Sequence, residues 1–333
     1  SVLAVCGAVV GIGVMKLRKG PDELAALGDK AAAAGNWKDA AEFYSRAVFK
    51  DQNNPELLRL WIGALEQITP TSTQQYVDLY FQSYLPALRA LAEAERTNVE
   101  TYRRYLDEHI TRLSRFGGSL AAWEDMLRLT EEALEAFGGS ADSAPRVARY
   151  RGLARLGIYG LGTDLSEEDF QEAVQDLELA LEADPADARA ATALSELHRM
   201  RASRLRLLGE QAAADECIAK ARAAMEAFLA ANPGNLEGLL ERLRLEAAET
   251  ARRSGGAASY EEVAAAHADL LDRVAEAARR VEPGQVRDAV VAMAAQALQP
   301  LEKYGRDTAV DILDRAMGPA ADNAVLLMAK AEV

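Results

Sequence analysis

The sequence predicts an all-α chain assembled from helical hairpins, and three observations carry that prediction. Apolar residues recur at three- and four-residue spacing, as at Leu177, Ala180 and Leu181, which is the period of a helix with one buried face. Ala, Leu, Glu and Arg dominate, and no strand-like alternation follows the first twenty residues. Glycine-rich punctuation at Gly117-Gly118-Ser119, Gly138-Gly139-Ser140 and Ser254-Gly255-Gly256 divides the chain into helix-length pieces. Composition narrows the function classes. A chain of 333 residues that is 50% hydrophobic can bury a large core, so it is neither disordered nor a linker. Its 38 basic and 52 acidic residues give a formal charge of −14, the wrong sign for a partner of nucleic acid. Two cysteines exclude a disulfide framework, and three histidines leave little material for a histidine metal centre.

The first element, residues 1–20, opens with the uncharged run Ser1 to Met15 and then turns basic at Lys16, Arg18 and Lys19. The run is shorter than the ~20 residues of a bilayer-spanning helix, and no initiator Met precedes it. It is therefore expected to be the remnant of a transmembrane anchor whose start lies upstream, with residues 1–19 meeting the lipid bilayer. A cleaved signal peptide is the competing reading, but cations rather than small residues follow the run. The basic flank draws toward anionic headgroups. Without the other flank, the side of the membrane that the body faces stays open.

Residues 21–67 carry the most regular pattern. Leu24, Leu27, Gly28 and Ala31 mark one helix, Gly35-Asn36-Trp37 a turn, and Ala40, Tyr44 and Ala47 a second helix. Small residues flanking one aromatic let two antiparallel helices touch closely while the ring fills the gap. This arrangement resembles the tetratricopeptide repeat, a helix–turn–helix unit of about 34 residues. Gln52 departs from it, standing where the family usually has Pro, with Pro55 three residues later. Ala173, Leu177, Ala180 and Pro185 repeat the second-helix register, and Ala309, Leu313 and Ala316 repeat it near the end. Helix stops at Pro185, Pro233 and Pro283 lie 48 and 50 residues apart, so the later hairpins should have longer helices or a degenerate repeat. Residues 145–333 are accordingly expected to form a degenerate array. The resemblance implies stacked hairpins forming a superhelix (an α-solenoid), in which each unit is stabilised by its neighbours. Two helix starts are legible inside the array: Ser259 with Glu262 reads as a capping box, and Ser166 with Asp169 as a weaker one.

Between residues 68 and 144 the signature lapses. Tyr76, Tyr80 and Tyr84 share one helical stripe, and Pro86 should kink that helix or separate two. Helices are expected over about 98–115 and 119–136. The tyrosines are either a ligand-facing strip or interior residues packed on the helix around Trp123, and aromatic stripes more often pack.

Chemistry is scarce. His109, His198 and His267 are isolated, with His198 at a packing position and the other two on solvated or partly buried helix faces. Cys217 reads as a small core residue. Gly160-Leu161-Gly162-Thr163 lacks the lysine of a phosphate loop. The run His198, Arg199, Arg201, Arg204 and Arg206 is either a receptor for carboxylates or, more ordinarily, a helix face paired with neighbouring acids. No catalytic, cofactor-binding or metal-binding residues are assigned, and the chain is expected not to be an enzyme. Family members that capture a terminal carboxylate use Lys and Asn on the inner helices; Ala25 and Asp29 stand here instead, so a basic or apolar peptide suits the first groove better. Candidate partner-binding residues are Asp29, Glu66, Tyr76, Tyr80, Tyr84 and Arg199. The expected function is a membrane-tethered scaffold, single-pass in a bacterial inner membrane, that binds proteins or peptides. The alternatives are a fixed subunit of a large membrane complex, or the non-catalytic part of a longer enzyme.

Overall fold

The computed structural model describes residues 19–136, 144–161, 166–253, 255, 259–284, 286 and 310–315. Among them the regular structure is helical throughout and contains no strand. Contacts divide the chain into two compact units, residues 1–150 and 151–333.

In the first unit, α1 (Pro21–Ala33) starts with Pro in its first turn, where the missing N–H costs nothing, and with Asp22 and Glu23 set against the positive end of the helix dipole. Gly35, at φ 74°, takes the left-handed conformation that returns the chain into α2 (Trp37–Lys50). Leu24, Ala40, Tyr44 and Ala47 are buried between the two helices. Gly28 lies directly under the Tyr44 ring, where a methyl group would overlap it. The departure at Gln52 is harmless, because Pro55 occupies the first turn of α3 (Pro55–Glu66), capped by the Asn54 side chain.

The stretch without a repeat signature still lays helices one against the next. After α4 (Thr73–Leu79) comes a π-helical turn, Tyr80–Tyr84, and then α5 (Leu85–Ala94). Pro86 does not break the run: the Leu85 N–H reaches back to the Tyr80 carbonyl, and this wider turn places the proline in the first turn of α5. α6 (Val99–Phe116) is capped by Asn98 and ends at Gly117, φ 74°; α7 (Leu120–Ala136) follows. Contacts run α1–α2, α2–α3, α3–α5, α5–α6 and α6–α7.

The division between units falls inside α8 (Ala144–Gly160). The second unit continues through α9 (Glu167–Ala183), α10 (Ala188–Leu207), α11 (Gln211–Ala231) and α12 (Leu236–Arg253), then α13 (Tyr260–Ala266) and α14 (Ala268–Arg280). The expectation of longer helices holds: α10 and α11 have 20 and 21 residues against 13 and 14 in α1 and α2, which accounts for the wide spacing from Pro185 to Pro233. The small-against-large contact of the first hairpin recurs. Gly152 gives space to the Leu177 side chain, and Gly238 to the Phe228 ring. Both expected capping boxes form: Ser166 with Asp169 in full, and Ser259 with Glu262 at 3.3 and 2.8 Å. Asp176, buried, receives Arg151 and Arg155 from α8. A core of Met225, Phe228, Leu239, Leu243, Leu271 and Val274 joins α11, α12 and α14, and Leu313 packs into it.

The apolar run of residues 1–15 lies outside the described residues, as do the 138–143 loop, Ala309 and Ala316. Among the described residues no helix is long and apolar enough to cross a membrane.

Candidate functional site

The apolar period of α9 buries Phe170, Val174 and Leu177, with Leu181 partly covered, while its glutamates fall on the solvent side. α10 lies against both α9 and α11. The three helices leave between them a groove of about 930 Å³, at the upper end of the volumes usual for binding clefts. Phe170, Val174, Leu194, Leu205 and Phe228, all buried, make its floor. Glu178 and Glu182 from α9 and Glu210 at the start of α11 stand exposed on its walls.

The groove's cations are already matched. Arg201 pairs with Glu167 and lies 5.4 Å from the centre of the Phe170 ring, and Lys220 sits 2.9 Å from Glu216. His198 meets Phe170 edge-on at 5.8 Å, and burial pushes its pKa down to about 4, so the ring is neutral near pH 7. Cys217, half-buried, packs against the core of Ala202, Leu205, Ala214 and Ile218 and also forms part of the groove wall, and burial pushes its thiol up, away from the reactive thiolate. Among the described residues no group of three or more His, Cys, Asp or Glu is arranged to hold a metal.

The candidates read from the sequence are dispersed by the fold. In the first unit, Asp29 accepts the Tyr44 hydroxyl at 2.8 Å; burial, followed by this bond, raises that hydroxyl's pKa to about 12. Glu66 accepts the Tyr84 hydroxyl at 2.9 Å and also takes Arg104. Tyr80 stacks between Tyr76 and Tyr84, at 5.5 and 5.8 Å, and donates to the Glu108 carboxylate at 2.8 Å. The stripe therefore meets α6 through Glu108 and Arg104. Trp123 instead covers Gly118. His109 is buried beside Tyr105, not solvated, and burial lowers its pKa to about 4.

In the second unit the basic run is consumed internally. Arg199 is largely buried and pairs with Glu196 at 3.3 Å. Arg204 covers the Tyr159 ring and donates to its carbonyl at 3.0 Å, and Arg206 faces Asp215 at 3.6 Å. His267 shares a 2.8 Å hydrogen bond with Thr250. Sequence reasoning passed over Glu178, Glu182, Glu210 and the exposed Ala223 and Ala227 of α11, which also line the groove. Their one signal is that Glu178 and Glu182, a helical turn apart, flank the apolar row of α9.

No family model matches the chain, and no curated relative does. Solved structures do. A tetratricopeptide repeat protein from Parabacteroides merdae superposes with a TM-score of 0.50 at 14% identity, over 93% of this chain and 97% of its own. A thermophilic repeat protein from Thermus thermophilus gives 0.36 at 16% identity, over 68% and 98% of the two chains. Human IFIT1, solved as a dimer with m7Gppp-AAAA, gives 0.45 at 13% identity, over 93% of this chain and 61% of its own. With paired helices meeting through small residues, and the first of these superpositions spanning nearly all of both chains, this is a helical-repeat protein of tetratricopeptide-like fold.

Proposed function

We propose that the protein is a protein-interaction scaffold that holds a segment of a partner in the α9–α11 groove, and that residues 1–19 tether it to a bacterial inner membrane. The observation supporting this reading is the groove itself: about 930 Å³ left open between three packed helices, over a floor that is mostly apolar. The catalytic role stays unassigned, and binding is the whole mechanism. Tethering supports it by raising the concentration of the scaffold near membrane clients. Acidic walls and an overall charge of −14 disfavour nucleic acid as the occupant. In the first unit, Glu66 and the stripe Tyr76, Tyr80 and Tyr84 are a second contact surface in this reading, while Asp29 and Arg199 serve internal bonds to Tyr44 and Glu196.

A second reading is a fixed subunit of a membrane assembly, and the exposed Phe49, Leu207 and Leu208 favour it as faces for permanent burial. Purification from native membranes separates the two. Exchangeable clients lost on Ala227→Trp, which fills the groove, support the scaffold. Stoichiometric subunits retained by that variant support the assembly. Deleting residues 1–19 should move the protein from the membrane to the soluble fraction; an unchanged distribution contradicts the tether.

A further inference from the structure

The groove's charge and shape specify more than an opening. Seven of its lining residues are charged: Glu167, Glu178, Glu182, Glu210 and Glu216 against Arg201 and Lys220. Both cations are held by acids of the same groove, Glu167 and Glu216. Glu182 and Glu210 make no close ion pair among the described residues, and Glu178 meets Lys220 only at longer range, where Lys220 is already held by Glu216; the three stand exposed on α9 and at the start of α11. Between those walls the floor is mostly apolar, made by Phe170, Val174, Leu194 and Phe228 with the buried His198 ring set edge-on to Phe170. Leu208 continues the α10 row formed by His198, Arg201 and Leu205 at three- to four-residue steps, and it is 73% exposed, so an apolar contact extends past the groove's mouth.

We propose that the occupant is a cationic amphipathic segment of another protein, with Lys or Arg on its flanks and an apolar stripe between them. This rests on the groove being the binding site. Exposed carboxylates on both α9 and the start of α11 suit cations on the edges of a ligand, and the mostly apolar floor suits the stripe. An acidic peptide meets five carboxylates against two cations, both of them already engaged, and an anionic lipid surface or a nucleic acid meets the same repulsion.

The test is a selection from a displayed library of 14-residue peptides with no charge bias, made on the full chain. The selected peptides are then titrated against the unmodified protein, Ala227→Trp, and the triple variant Glu178→Gln, Glu182→Gln, Glu210→Gln. All four positions are exposed, and circular dichroism checks that each variant is folded. The expected result is a set enriched in Lys and Arg that loses binding on Ala227→Trp. Those peptides should bind the triple variant about tenfold more weakly at low salt, the sum of three exposed charge contacts, with the gap closing as salt rises. Groove-dependent peptides that are neutral or acidic, or that ignore the triple variant, overturn the cationic occupant and leave the groove standing. A selection yielding no peptide sensitive to Ala227→Trp overturns both.

Discussion

Gly28 and Tyr44 show how a single position decides whether two helices meet. Alanine normally stabilises a helix interior by about 1 kcal/mol over glycine, but here the added methyl would enter the buried Tyr44 ring. Gly28→Ala should therefore destabilise by about 1–3 kcal/mol in urea unfolding, as overpacked cores do. Gly63, inside α3 with open space around it, is the control, and Gly63→Ala should stabilise by about 0.5–1 kcal/mol. Equal effects at the two sites would contradict the close approach.

The buried histidines make a second prediction at this scale. In the unfolded chain they protonate near 6.5, whereas burial lowers His109 and His198 to about 4. Below 6.5 the unfolded state binds protons that the folded state refuses, so the neutral rings contribute full stability above that pH and lose it as pH falls toward 4. Unfolding midpoints measured from pH 7 to 4 should fall less steeply for His198→Gln than for the unmodified protein; parallel curves would contradict a neutral buried ring. The Gly28–Tyr44 contact was legible because both partners belong to one short pattern. The internal use of Glu66 was not, since Tyr84 and Arg104 lie 18 and 38 residues away and only tertiary packing brings them to it; Asp29 shares Tyr44 with Gly28, but which way its carboxylate turns is a side-chain choice that spacing does not encode.

Among the elements, the tie between α8 and α9 concentrates on Asp176, which is buried and engages Arg151 and Arg155. Removing Asp176 leaves Arg151 without its acid while Arg155 keeps Glu172, so Asp176→Ala should cost about 3 kcal/mol, the lower end for a broken buried pair. Arg128 on α7 pairs with Asp125 and Glu132, whose side chains face solvent, and Arg128→Ala should be nearly neutral. Chemical denaturation reads both, and comparable losses would mean that burial does not set the difference. Helix ends were legible at Ser166 and Ser259, where a side-chain acceptor and a following amide are local chemistry; the Asn54 and Asn98 caps use the same chemistry and were passed over. The π-turn before Pro86 was not legible, because a proline signals only that the regular ladder must yield. Whether the chain kinks, stops or widens by one residue is decided by what the tyrosine stripe packs against. Helix-on-helix packing continued through α5–α7 without the signature, since packing needs only an apolar face on each helix, and many sequences supply one.

For the whole chain, the surplus of acid is distributed unevenly in its consequences. Most arginines of the second unit's basic run are spent on internal acids and rings, as the reading of a helix face paired with neighbouring acids expects. The groove beside it instead exposes carboxylates. Sequence alone showed the cations because they are contiguous; the acids that matter come from α9 and α11 and converge only after folding. The most direct measurement of the proposed role is site-specific photo-crosslinking in native membranes from residue 227, inside the groove, and from residue 219, exposed on α11 outside it. The account predicts a discrete protein adduct from 227 and none from 219. Adducts of equal yield from both positions, or from 219 alone, would contradict it.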